Sequence, residues 1–331
     1  MTAYRLFGAE TSPYSLKVRA FLRYKNVDFE WVARSAETEA EFTSLAALPT
    51  VPLLVGADGA TSQDSTAMLA EFEATNPEPA AIPDDPACAA LALLLEDYAD
   101  EWLNKAMFHQ RWSQTPDREA AAIRLMDQMF AGKPPKAKKK VQDQIAARMG
   151  GRLDLVGASE ANAPVLKTSF WRFAELFNAH LKQHLYLFGG RASSADFALA
   201  GQLLQLLSDP TPGNWLRDRA PFIVAWCEFM DDPKPGAPFA TLDELSETLL
   251  PLLRDEVAKT YLPWAMQNSE NASKRRKLVK LDLEDGPFEQ STQRYAAKSF
   301  KAMRKAAQKL AKDASDLEAF LNEADMRELL G

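Results

Sequence analysis

Four prolines crowd into the segment NPEPAAIPDDP, at positions 77, 79, 83 and 86. Each removes a backbone donor and restricts φ, so neither a helix interior nor a central strand runs through this stretch. It reads as an extended linker, and the chain differs in kind on its two sides. Before it, short apolar runs alternate with helical patterns. After it, almost every segment repeats its apolar residues at helical spacing. The sequence therefore predicts a small mixed α/β unit followed by a larger, all-α one.

In the first unit the pattern predicts strands at 4–7, 27–32, 51–55 and 60–62, with Asp58-Gly59 as a hairpin turn. Helices are expected at 15–25, 38–45 and 65–75. Beyond the linker, Ala87–Trp112 reads as one long helix, with others near 117–131, 137–150, 165–184, 195–207 and 219–230. Past DDPKPGAP (231–238) comes an extension. It opens with a helix at 241–257, and TYLPWAMQN (260–268) follows, too aromatic for a linker: it either folds back to roof the cleft or packs on the extension's own helices, with the second expected. LVKLDLEDGPFEQ (278–290) alternates like a strand running into an Asp-Gly turn. A basic helix at 292–312 and a short terminal helix close the chain. The expected domains are 1–76, a linker 77–86, a helical unit 87–235 and an extension 236–331.

Composition narrows the function. The 331 residues carry a formal net charge of −7, which argues against nucleic acid as a main partner. Two cysteines, Cys88 and Cys227, are too few for a disulfide framework and fit a reducing compartment. The first residues lack a secretory pattern and no apolar run is long enough to span a bilayer, so a cytoplasmic protein without membrane partners is expected. The basic run KPPKAKKK (133–140) and the basic helix at 292–312 read as solvated faces. His180 and His184 stand at i, i+4, but HLKQH lacks a glutamate or a third ligand, so a surface pair is expected and no metal site.

Three stretches of the first unit carry chemistry. In TSPYS, Ser12 stands where a strand turns into a helix; free N–H groups and the helix dipole favour an anion there, above all a thiolate. Positions 12 and 15 are both serine, so the protein cannot itself form a mixed disulfide at this turn. Ser12 either donates to a thiolate brought by a ligand or simply caps the helix. At Val51-Pro52 a strand begins with proline; a cis bond would present the Val51 backbone to an extended peptide. In QDSTAML, Asp64 pairs with an ammonium group and Ser65 with a carboxylate, or the two only cap a helix. Together the three would accommodate glutathione along its length.

On these residues the sequence resembles the glutathione transferase superfamily. The matching stretches are Ser12-Pro13-Tyr14-Ser15 with Lys17 and Arg19, then Val51-Pro52, then Asp64-Ser65-Thr66-Ala67-Met68, similar to the family's Glu-Ser-x-Ala-Ile. A fourth, LFGGRASSADFALAGQL (187–203), is similar to the family's Gly-x-x-Ser-x-Ala-Asp, with Ser193 and Asp196 forming a capping box. Bacterial members with a long C-terminal extension are the nearest in pattern. The resemblance implies a thioredoxin-like N-terminal domain, a C-terminal helical bundle, a role in detoxification, a homodimer and glutathione as co-substrate. It implies that Ser12, or else Ser15, stabilises the thiolate. Thr50, Val51 and Pro52 would hold the cysteinyl part, and Asp64 with Ser65 the γ-glutamyl end. Two positions depart from the pattern: many members have a lysine or similar donor where Thr50 stands, and Asp64 is one methylene shorter than glutamate.

A second substrate would meet Tyr14 and the long helix after the linker. There Tyr98, Trp102, Lys105, His109 and Trp112 recur at i, i+4, i+7, i+11 and i+14, one helical stripe. The stripe reads either as a pocket for an aromatic electrophile or as core. Two functions follow: a transferase directing the glutathione thiolate at an electrophilic carbon, or a non-catalytic binding or scaffold protein of the same fold.

Overall fold

The computed structural model describes residues 4–331. The first unit runs β1 (Tyr4–Gly8), α1 (Pro13–Tyr24), β2 (Phe29–Ala33), α2 (Glu39–Leu45), β3 (Leu53–Gly56), β4 (Thr61–Gln63) and α3 (Ser65–Thr75). Its sheet has the order β2-β1-β3-β4, with β1 parallel to β2 and the other neighbours antiparallel. Leu6, Leu54 and Phe72 face one core, while Phe7, Val32, Phe42 and Leu53 make a second on the other side of the sheet, as the period-2 alternation of strands requires. This is the thioredoxin-like arrangement.

Helices fill the remainder. Asp85 caps the first through its carboxylate, and α4 (Pro86–Tyr98) runs through a π-helical turn at Ala99–Leu103 into α5 (Asn104–Ser113). There follow α6 (Thr115–Met129), α7 (Lys138–Gly150), α8 (Leu153–Val156), α9 (Ala163–Leu181), α10 (Ser194–Ser208), α11 (Pro210–Arg219) and α12 (Pro221–Met230). The capping box opens α10 as its spacing predicts: the Asp196 carboxylate accepts from the Ser193 N–H at 2.8 Å and from the Leu187 N–H at 2.9 Å. Gly201 lets α10 lie directly on α1, because a Cβ there would stand 2.4 Å from the Pro13 carbonyl oxygen.

The extension is not an appendage. It consists of α13 (Leu242–Leu252), a π turn at Leu253–Val257, α14 (Tyr261–Ser273), the hairpin β5 (Leu278–Leu283) and β6 (Gly286–Ser291), α15 (Arg294–Leu310) and α16 (Leu317–Glu323). Leu245, Leu249, Val257, Tyr261 and Trp264 are buried in the same core as Leu91, Leu95, Tyr98 and Trp102 of the helical unit. TYLPWAMQN therefore forms α14 and packs across α4, not only on its own neighbours as expected. Pro263 is tolerated because it falls in the first turn, where its missing N–H has no partner to lose.

Helix α15 lies along α4 with Ala296, Phe300, Met303 and Ala307 buried. Its outer face carries Arg294, Lys298, Lys301, Lys305 and Lys309, continued by Lys312, at steps of four and three residues. All six are exposed, and no carboxylate among the described residues comes within ion-pair distance of them.

Candidate functional site

Sheet register brings the three chemistry-bearing stretches to one place. Phe7 pairs with Leu53, and Leu53 with Gln63. The turn after β1, the entry to β3 and the exit from β4 therefore share one end of the sheet. Ser12, Val51-Pro52 and Asp64-Ser65 occupy those three positions.

Ser12 is the N-cap of α1. Its Oγ accepts from the Ser15 N–H at 3.3 Å, and its own N–H donates to Ala9 at 3.0 Å. A hydroxyl that accepts from a cap donor keeps its own proton for another acceptor. Ser12 is half-buried, whereas Ser15 is fully buried with an Oγ that has no partner. Of the two, only Ser12 meets solvent.

The Val51–Pro52 bond is cis. Gln63 braces the segment before it, donating from Nε2 to the Thr50 carbonyl at 2.8 Å and to the Leu48 carbonyl at 2.9 Å. Thr50 is exposed and Val51 half-buried. Asp64 caps α3 with φ 88° and ψ 105°, a backbone region that L residues rarely adopt and that costs about 1–3 kcal/mol. Its carboxylate accepts from the Ala67 N–H at 3.4 Å and from the Tyr295 hydroxyl of α15 at 2.8 Å. Ser65 is buried at the first helical position.

Beneath this site lies a buried ion cluster. Lys17 Nζ reaches Asp100 at 2.6 Å, Glu96 at 2.7 Å and the Thr66 hydroxyl at 3.1 Å, tying α1 and α3 to the end of α4. Burial alone would lower the lysine's pKa, but the two carboxylates outweigh it and hold the ammonium charged. Asp100 is pushed up by burial despite Lys17, and one of its oxygens has no partner. Tyr14 donates to the Asp100 carbonyl at 2.8 Å, so its hydroxyl closes the seam between the domains.

The predicted stripe disperses. Tyr98 and Trp102 are fully buried: Tyr98 donates to Glu256 at 3.1 Å, and Trp102 packs on Trp264 and Phe288 with ring centroids 5.9 and 5.1 Å apart. Lys105 places its Nζ 3.9 Å from the centre of the Trp264 ring, and burial lowers its pKa. His109 has both nitrogens engaged, one with the Ala158 carbonyl at 3.1 Å and the other with Ser113 at 3.3 Å. Trp112 belongs to a separate cluster with Ala122, Met126 and Ile145. All five side chains are buried. The helix is long enough that successive turns meet different neighbours, and the extension covers Tyr98, Trp102 and Lys105.

The histidine pair also differs from expectation. His180 is buried, not at the surface, with Nδ1 2.8 Å from Thr248 Oγ1 and Nε2 3.0 Å from the Leu187 carbonyl. Burial first, and His184 second, push its pKa down to about 4. A histidine kept neutral in the fold but protonated when unfolded contributes stability above its ordinary pKa, which is lost as pH falls from 6.5 towards 4. The loss expected is on the order of 3 kcal/mol. An NMR titration should show the His180 ring still neutral at pH 5; a midpoint near 6.5 would contradict this packing.

Comparison with known proteins identifies both domains. Residues 11–75 match the glutathione S-transferase N-terminal domain, and residues 143–229 match the glutathione S-transferase C-terminal domain. The chain belongs to the glutathione S-transferase superfamily. No curated protein matches it. Among solved structures it is similar to a glutathione S-transferase from Rhodospirillum rubrum, at 22% identity over 76% of this chain and 91% of that one, TM-score 0.45. It is also similar to the β-etherase LigF from Sphingobium, at 20% identity over 70% and 95%, TM-score 0.47. A third is a Methylobacterium radiotolerans glutathione S-transferase in complex with glutathione sulfonate, at 21% identity over 72% and 95%, TM-score 0.43.

Two contributors escaped the sequence reading. Lys17 was visible only as part of a motif, since nothing local shows that its partners are Glu96 and Asp100. Tyr295 lies 231 residues from Asp64. No spacing rule connects them.

Proposed function

We propose that the protein is a glutathione-dependent transferase, and the convergence of Ser12, Val51 and Asp64-Ser65 at one sheet end carries the reading. Ser12 donates its hydroxyl proton to the glutathione thiolate, aided by the N-terminus of α1, and so lowers the thiol pKa. The Val51 backbone pairs with the cysteinyl unit, as a strand edge pairs with an extended peptide. Asp64 takes the α-ammonium of the γ-glutamyl end, and Ser65 its carboxylate at the start of α3. A sulfur lone pair then forms a C–S bond at an electrophilic carbon. In substitution the leaving group departs with its bonding pair; in addition the neighbouring carbon takes a proton. A homodimer in the cytoplasm completes the proposal.

One observation favours a second reading, a binding or scaffold protein without turnover. The stripe expected to receive the second substrate is filled by Tyr261, Trp264 and Phe288.

Calorimetric titration of glutathione into the wild type and two variants tests both. Saturable binding is expected, weakened by roughly 10–100-fold in Asp64→Ala through loss of a charged hydrogen bond. Ser12→Ala should keep affinity but lose the absorbance of the bound thiolate. No binding at millimolar glutathione removes the transferase reading. Binding with no turnover across a panel of aryl halides, epoxides and enones favours the scaffold.

A further inference from the structure

Asp64 holds an unfavourable backbone conformation, and its carboxylate is exposed. Such a group would ordinarily sample several rotamers. Its capping bond to Ala67 is long, at 3.4 Å, so the 2.8 Å bond from the Tyr295 hydroxyl is the stronger of the two that orient it. That hydroxyl comes from the extension. Tyr295 stands in the first turn of α15, which Phe300, Met303 and Ala307 anchor in the core. One turn further on, Ser299 donates to Asp97 of α4, which also accepts from Tyr261 of α14. Two hydroxyls four residues apart on one helix thus engage two carboxylates, one in each of the two units that α15 bridges.

The Tyr295 ring is 58% exposed, so the contact sits at the rim of the site and not within packed core. Partial burial and then Asp64 itself raise the phenol's pKa, which keeps it a donor at every physiological pH. A carboxylate oxygen accepts more than one donor, so the phenol leaves lone pairs of Asp64 free.

We propose that Tyr295 is a positioning residue for the ligand's α-ammonium: its hydroxyl fixes the Asp64 carboxylate in the orientation that receives that group, making the extension part of the recognition site. This rests on the glutathione reading above. An aspartate has one methylene less than the family's glutamate with which to reach a ligand, and pre-orientation removes the entropy it would otherwise lose on binding.

The test compares two probes in calorimetry, glutathione and glutaryl-cysteinyl-glycine, which lacks only the α-amino group. Tyr295→Phe keeps the ring and removes the hydroxyl. The expected result is a roughly 3–10-fold weaker Kd for glutathione, the size of one hydrogen bond, with the Kd of the deaminated probe unchanged within about 2-fold. In an Asp64→Ala background Tyr295→Phe should then change neither. Equal weakening for both probes would mean a merely structural contact and would overturn the proposal. Tighter glutathione binding would make Tyr295 a competitor for Asp64 and also overturn it. If the wild type binds neither probe, the glutathione reading itself fails and this inference with it; the first two failures leave that reading intact.

Discussion

Replacing Lys17 with methionine is expected to destabilise the fold by about 3–5 kcal/mol, because one partner of a buried ion cluster is removed and the others stay. Lys17 is 1% exposed, and its ammonium is the shared counterion of Glu96 and Asp100. Without it, two buried carboxylates face each other in a region where one Asp100 oxygen already lacks a partner. The Asp100 carboxyl, already pushed up by burial, would then rise further above its unfolded value. Carboxylates raised in this way stabilise the fold only below their unfolded pKa, and that contribution is lost as pH rises through the folded pKa. The deficit of Lys17→Met relative to wild type should therefore be largest near pH 8 and shrink towards pH 5. Urea unfolding at both pH values measures it. Adding Glu96→Gln and Asp100→Asn should recover most of the loss at neutral pH, since neutral amides do not need the counterion. A loss below about 1 kcal/mol in the single variant would mean that the cluster is hydrated rather than closed.

Trp264→Ala should cost a comparable amount, about 3–5 kcal/mol, for a different reason: it leaves a cavity that its neighbours cannot collapse into. The indole is 1% exposed, packs on Trp102 and Tyr261, supports the Lys105 ammonium and donates to Gln290 at 3.2 Å. Removing it takes the aromatic face from Lys105, which then has only Glu101 and Asp97 to offset its burial. Thermal unfolding would show one transition at lower temperature, involving both the extension and the helical unit. Two separate transitions would mean that the extension folds independently, contrary to the shared core.

What the sequence made legible was local or periodic. The Ser193–Asp196 box was readable because both its bonds close within three residues. The grouping of Ser12, Val51 and Asp64 came from the chemistry each offers one extended ligand; the sheet register that sets them at one end left no mark in the local pattern. The fate of the aromatic stripe was not readable either. Helical spacing places Tyr98, Trp102 and Lys105 on one face without saying what lies opposite, and here it is α14 and the β5–β6 hairpin, more than 150 residues later in the chain. The π turn at Ala99–Leu103 also adds a residue to one turn, so positions after it are rotated relative to a regular helix. Tyr295 was invisible for the same reason as the cover on the stripe: its partner is set by how the extension docks, and docking leaves no mark in local pattern.

The lysine face of α15 bears on how the molecule behaves at a distance. From Gln290 to Lys312 the sequence has no carboxylate, so the rest of the chain is more negative than the net −7 suggests. Charge is therefore unevenly spread, with a positive stretch on α15 set against a more acidic remainder. In low salt, where screening lengths exceed the width of a helix, a negatively charged surface would repel its bulk and attract one side of it. Approach would then be decided by orientation: the molecule turns before it lands, and the side that leads is the same helix that reaches Asp64.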